Sequence, residues 1–209
     1  MVYVSGGSFM MGSDDSDASP DVRPAHRVTL DGFRIGRYEV TQELWEAVMG
    51  NNPSYFKGSR RPVENVSWDD CQTFIRRLNS LTGHNFKLPT EAQWEFAARG
   101  GNSSNGYKYS GSNYIDNVAW YEGNSGGRTH NVGTKSPNEL GIYDMSGNVF
   151  EYCDGEYEFY DRHSKIAGDF TRVARGGGWF FDRTWQAVFF RDPVSSQRKS
   201  NNYGFRLCL

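Results

Sequence analysis

A loop-rich α+β domain is the fold class predicted by three features of this 209-residue chain. Turn formers and rings dominate its composition, with 24 Gly, 14 Phe, 12 Tyr and 6 Trp. Short alternating segments fill the first 40 residues, and three capped helical segments follow. Helix signals then vanish after residue 100. Leu and Ala, the residues of helical bundles, are modest. The length suits one sizeable core, so one domain over residues 1–209 is expected.

In chain order, "MVYVSGGSFMMG" and "AHRVTLDGFRIGRYEVT" read as short strands around the polar, acidic loop "SDDSDASPDVRP". Val28 and Leu30 alternate with polar neighbours, as in a half-buried strand. "TQELWEAVMG" predicts a helix that starts at Thr41 and stops at Gly50. In "SWDDCQTFIRRLNSLTG", Ser67 is the N-cap, Asp70 completes a capping box and Gly83 ends the helix. Phe74, Leu78 and Leu81 fall on one face of it. "TEAQWEFAARGG" repeats the device with Thr90 and Gln93, buries Trp94 with Ala97 or Ala98, and stops at Gly100. Beyond it, loops with short strands are expected up to "RVARGGGW" and the closing "YGFRLCL". No repeat, linker or composition break marks a second domain.

The formal net charge of −2, with both signs well mixed, gives no electrostatic case for nucleic acid or an anionic membrane. No apolar run approaches the roughly 20 residues of a membrane span. The opening residues lack the regions of a signal peptide, so a secreted or cell-surface location requires that an export signal was removed. Cys71, Cys153 and Cys208 contain no CxxC pair and are odd in number. They read as three separate thiols, with a Cys153–Cys208 bridge left open. His26, His84, His130 and His163 are scattered, without the i, i+4 spacing that presents two imidazoles on one helical face.

Five phrases in register, "YEVTQELWEAVMG", "RPVENVSWDDCQTFIRRLN", "FKLPTEAQWEFAARGG", "PNELGIYDMSGNVFEY" and "RVARGGGW…NNYGFRL", resemble the formylglycine-generating enzyme, or sulfatase-modifying factor, domain. The resemblance covers nearly the whole chain and implies an elaborated C-type-lectin-like fold. Active members oxidise a substrate cysteine with copper held by two cysteines, a soft thiolate pair suited to Cu(I). The matching positions here are Phe181 and Gln186, and the serine that usually ends the glycine turn is Gly178. No copper and no oxidase activity are therefore expected. The resemblance also implies a calcium loop in "LGIYDMSGNVFEY", with the side chains of Asp144 and Glu151 and the carbonyls of Gly147 and Val149 as donors. A second implied calcium site involves Asn117, the carbonyl of Val118 and Asn124.

The end of the chain, "GGGWFFDRTWQAVFFRDPVSSQRKSNNYGFRLCL", is also similar to the closing region of variable proteins of diversity-generating retroelements, which use this same domain. In such proteins selected positions of that region are diversified and displayed for binding. By that resemblance residues 176–203 are the binding segment, with Phe180, Phe181, Asp182, Trp185, Phe189, Asp192, Val194, Ser195 and Ser196 as ligand contacts. Gly176, Gly177, Trp179, Arg191, Gly204, Phe205 and Arg206 are framework. Successive side chains of an extended segment alternate between faces, so Phe180, Phe181, Trp185, Phe189 and Phe190 cannot all point inward. Rigid rings beside small polar residues suit recognition of a protein or other macromolecule. The alternatives are a fixed-sequence pseudoenzyme or regulatory domain and, less favoured, a formylglycine-generating-type oxidoreductase. The chain is expected to act as a monomer.

Overall fold

The computed structural model describes residues 1–16, 18–161 and 171–209. His163, one of the four scattered histidines, lies outside the described residues. The architecture is α+β, as the sequence predicts. Strand β1 (Val2–Val4) pairs antiparallel with β4 (Phe33–Ile35), and β2 (Gly7–Met11) with β3 (His26–Leu30). A four-stranded sheet follows, ordered β7-β6-β5-β8, from β5 (Phe150–Tyr152), β6 (Arg172–Arg175), β7 (Arg191–Val194) and β8 (Tyr203–Gly204). Only β5 and β8 run parallel within it. The last residues return to β4, where Arg34 and Leu209 exchange backbone hydrogen bonds of 2.9 and 2.8 Å. That exchange brings the two ends of the chain together.

The helices form where their caps announce them. Helix α1 (Gln42–Met49) starts at Thr41, whose hydroxyl accepts the Leu44 N–H, and ends at a left-handed Gly50. Helix α2 (Trp68–Thr82) carries both bonds of the Ser67–Asp70 capping box and ends at a left-handed Gly83. Helix α3 (Glu91–Ala98) has the same box from Thr90 and Gln93. A short α4 (Ile115–Val118), without a side-chain cap, has no counterpart in the sequence reading. Such caps contribute about 1 kcal/mol each by satisfying N–H groups that the helix cannot.

Two apolar clusters meet at the four-stranded sheet. One joins α1 and α2 to β5, β8 and the closing segment, with Trp45 stacked on Phe74 at 5.2 Å and both rings edge-on to Phe205. The other packs Trp94, Phe96, Ala97 and Ala98 of α3 against Val4, Phe33, Ile35, Cys153 and Cys208. Leu81 departs from expectation: it is 70% exposed, and the buried face of α2 is Cys71, Phe74, Ile75 and Leu78. All three cysteines are buried free thiols, so the Cys153–Cys208 bridge is not formed. Burial, the largest cause, pushes Cys71 and Cys153 well above their ordinary value and Cys208 up to about 11. Each packs as a small apolar group. No helix among the described residues is long and apolar enough to cross a membrane.

Candidate functional site

The glycine bend that follows β6 positions the site. Gly176 and Gly177 both have positive φ, 94° and 73°. A Cβ on Gly176 would lie 3.0 Å from the Trp94 ring, and one on Gly177 would collide with the Gln186 side chain. Both positions thus require glycine for conformation and for space. Gly178 differs: its nearest neighbour would be 3.4 Å away, so a serine there is not excluded by sterics. Beyond the bend, Trp179 is tied down by its N–H to the Asn148 carbonyl and its indole N–H to the Asn201 carbonyl, both 2.9 Å.

The next residues are not an extended strand. Asp182 accepts the Thr184 N–H at 2.7 Å and caps a short 3-10 helix, Arg183–Gln186. Gln186 is fully buried, and its amide donates to the carbonyls of Phe181 and Asp182 at 3.1 and 3.0 Å. At this position the amide works as a clamp that closes the loop on itself. Phe181 packs edge-on against Phe150 of β5 at 5.1 Å. Neither residue offers a soft donor, and the three thiols lie in the two cores, so the residues at this position do not fit copper.

What the bend does present is a line of rings. Tyr55, Phe56, Trp179, Phe180, Phe181, Trp185 and Phe190 each contact the next, with centroid separations of 4.9, 5.2, 5.4, 5.8, 4.8 and 4.6 Å. Tyr55 is 70% and Phe180 60% exposed; Phe56 is half-buried, and Phe181, Trp185 and Phe190 are half-buried against the core. The loop over residues 122–125 holds the segment behind the bend, with the Ser125 hydroxyl donating to the Trp179 carbonyl at 2.8 Å and the Glu122 N–H to the Phe181 carbonyl at 3.1 Å.

The predicted contacts divide into two groups. Phe180, Phe181, Asp182 and Trp185 come together on the ridge, with Phe180 and Asp182 exposed. Phe189 and Val194 do not: Phe189 plugs a pocket formed with Ala18, Val22 and Ala187, and Val194 lies in the α1–α2 core. The short 3-10 turn breaks strict alternation and rotates Phe189 inward. Asp192 accepts the Tyr203 hydroxyl at 2.5 Å, and burial pushes its carboxyl up from the ordinary value. Ser195 and Ser196 are half-exposed beyond β7, where the Ser196 carbonyl meets the Asp69 N–H at 3.4 Å, near the start of α2. Sequence reasoning missed Tyr55 and Phe56. Their signal was "NNPSYFKG", two rings within an otherwise polar turn.

Glu64 holds that turn in place. Its side chain is fully buried, one carboxylate oxygen accepts the Phe56 N–H at 2.7 Å, and the other lacks a partner. Burial raises its pKa above the ordinary 4.5. Folding therefore favours its protonated form more than the unfolded chain does. The stability it contributes is fully present below the unfolded value and is lost as pH rises through the folded one. Glu64→Gln is expected to flatten the decline in urea midpoint above pH about 4.5; parallel pH profiles for variant and parent would contradict this assignment.

The expected calcium donors are arranged differently. Glu151 is fully buried, and both its oxygens lie 2.6 Å from Arg206 nitrogens, with the Trp94 indole N–H donating at 2.7 Å. Three donors thus engage this carboxylate, two on one oxygen and one on the other. Asp144, 3% exposed, accepts the Gly133 N–H at 2.7 Å, and burial drives its pKa up to about 6. At the second expected site both ends of the Asn124 amide are used internally, and the Asn117 carbonyl accepts the Ser136 N–H at 2.9 Å. The carbonyls of Gly147, Val149 and Val118 remain, and at the first site the Asp144 carboxylate stands with them; calcium takes roughly 6–8 oxygens in all. Among the described residues no three His, Cys, Asp or Glu side chains converge as metal ligands. Calcium here stays what the resemblance implies, with Arg206 and a backbone N–H holding the carboxylates of the first site. If the ion is resident, a chelator lowers the melting temperature by several degrees and excess calcium restores it; an unchanged melting temperature with both would remove the ion.

Known proteins share both fold and sequence with this chain. It is 36% identical to the chaperone protein LppX of Paenibacillus barcinonensis, over 86% of this chain and 78% of that protein. It is 25% identical to the inactive C-alpha-formylglycine-generating enzyme 2 of Mus musculus, over 99% and 84%. Among solved structures, Treponema denticola variable protein 1 superposes with a TM-score of 0.84 at 34% identity, covering 100% of this chain and 94% of that one. The chain spans only 37% of the serine/threonine-protein kinase Pkn1 of Chlamydia trachomatis, which it also matches. The pattern of the sulfatase-modifying factor enzyme 1-like domain matches residues 1–209, and the chain belongs to that family.

Proposed function

We propose that this chain is a non-catalytic ligand-binding domain whose contact surface is the aromatic ridge from Tyr55 to Trp185. The carrying observation is the pairing of Phe181 and Gln186 where copper ligands stand in active members. One supports an exposed ring and the other clamps the loop that displays it. The likeness to a variable protein, with 34% identity across the full chain, supports display of residues 176–203 as a diversified segment. Phe180, Phe181, Asp182, Trp185, Ser195 and Ser196 are the contacts retained; Phe189 and Val194 are withdrawn because they pack inside. A second reading, a fixed partner-binding domain, draws support from the 36% identity to a chaperone protein.

Two measurements test the proposal. Incubated with Cu(I) and a cysteine-containing peptide, the protein is expected to yield no aldehyde; turnover would overturn the non-catalytic reading. Flanking DNA separates the two binding readings. A reverse transcriptase gene with a near-copy of the terminal coding segment, differing at adenines, is the expected result for a diversified protein. Its absence would select the fixed domain.

A further inference from the structure

The aromatic ridge has a basic margin that forms no ion pair among the described residues. The loop carrying Tyr55 and Phe56 continues into Lys57, Arg60 and Arg61, and it is joined to the loop carrying Arg128. The Val132 N–H donates to the Arg60 carbonyl at 2.9 Å, and the Arg61 guanidinium to the Thr129 carbonyl at 2.6 Å. Lys57, Arg60 and Arg128 are exposed. Among the described residues none of these four cations forms an ion pair with a carboxylate; Lys57 and Arg61 spend donors on backbone carbonyls. Arg61 is pulled below its ordinary value by burial and then by the charge of Arg128. His130, in the adjoining loop, is lowered by burial, with both arginines adding to the fall. The nearby Glu64, buried beneath the turn with one oxygen given to the Phe56 N–H, acts by its charge on Lys57 and Arg61 only, leaving Arg60 and Arg128 as the open part of the margin. Like charges left unpaired beside one another raise the free energy of the empty surface, and an arriving anion relieves that cost.

The geometry points to an acidic peptide segment as the occupant, with an apolar side chain on the Tyr55–Phe180 rings and a neighbouring carboxylate on the Arg60–Arg128 margin. This assignment rests on the ridge being the contact surface. Arginine forks match carboxylates in a bidentate way, and rings supply most of the energy at a protein interface. Nucleic acid fits less well. Successive rings from Tyr55 to Phe181 cross at 90°, 85°, 67° and 85°, which presents edges where base stacking needs open faces. The chain as a whole is also acidic, at −2.

Selection of a random twelve-residue peptide display library on the folded protein tests this. Recovered peptides are expected to carry Asp or Glu beside Phe, Tyr, Trp or Leu. A synthetic copy of one is then titrated against three proteins matched for melting temperature. The Arg60→Gln/Arg128→Gln variant is expected to bind about fivefold more weakly and with a flatter salt dependence. The Tyr55→Ser/Phe180→Ser variant is expected to lose binding. Recovered peptides without an acidic excess, bound equally by the arginine variant yet lost by the ring variant, would overturn the acidic assignment and leave the ridge standing. Undiminished binding by the ring variant would overturn the ridge itself. Failure to enrich any peptide, or tighter binding of heparin oligosaccharide or oligo-dT, would remove the peptide as occupant.

Discussion

Arg206→Met is expected to destabilise the protein by about 3–5 kcal/mol, because it strands buried carboxylates without a counter-charge. Arg206 is fully buried and sits two residues beyond β8. It neutralises Glu151 and donates further to the carbonyls of Gly36 and Tyr143, both at 3.0 Å. Glu39 and Asp144 stand close enough for their charges to act on Glu151's surroundings. Burial first, then Asp144 and Glu151, pushes Glu39 well above the usual carboxylate range. Burial would pull Arg206 down, yet Glu151, Glu39 and Asp144 together hold it above its ordinary value. One guanidinium therefore serves three carboxylates, and its removal leaves them facing one another in a medium of low polarity. Urea unfolding at pH 7 measures the loss. The double variant Arg206→Met/Glu151→Met is expected to recover much of it, since an apolar pair of similar volume avoids the desolvation that an orphaned charge imposes. If the double variant is no more stable than the single one, the loss comes from packing and from the backbone carbonyls.

The caps of α1, α2 and α3 were legible because capping chemistry is local: Thr41, Ser67 and Thr90 each bond an N–H within three residues. The family was legible because five phrases held their order. Burial was less so. Leu81 has the spacing of the apolar face of α2, but the last turn projects beyond the core and leaves it in solvent. The sidedness of residues 180–190 was hidden for a related reason: alternation presumes an extended chain, and the Asp182-capped turn replaces it. Tyr55 and Phe56 join the ridge only through a tertiary contact, Phe56 on Trp179, made by residues more than a hundred positions apart. Glu151 was assigned to a metal on the strength of resemblance, and only the fold brings Arg206 to it through the parallel pairing of β5 with β8.

The ridge should divide under mutation into rings that recognise and rings that support. Trp185 was expected from sequence to be one of the ligand contacts. Its contacts argue otherwise: it is half-buried against Phe181 at 4.8 Å, Phe190 at 4.6 Å and Phe150 at 6.3 Å. Trp185→Ala is therefore expected to cost about 2–3 kcal/mol of stability, toward the low end for aromatic truncation because one side of the ring faces solvent. Phe180→Ser removes a ring that is 60% exposed and pairs with the rings of Trp179 and Phe181, so stability should stay within about 0.5 kcal/mol. Binding to a selected peptide should nevertheless fall by about 2 kcal/mol, roughly thirtyfold, as for an interface ring truncated at a central position. Thermal melts and fluorescence titrations on the two variants give four numbers, and the idea needs them crossed: stability lost at 185 and kept at 180, affinity lost at 180. A Phe180→Ser protein that melts early would place that ring in the core and deprive the ridge of an exposed ring. A Trp185→Ala protein that melts like the parent would return Trp185 to the set of free contacts.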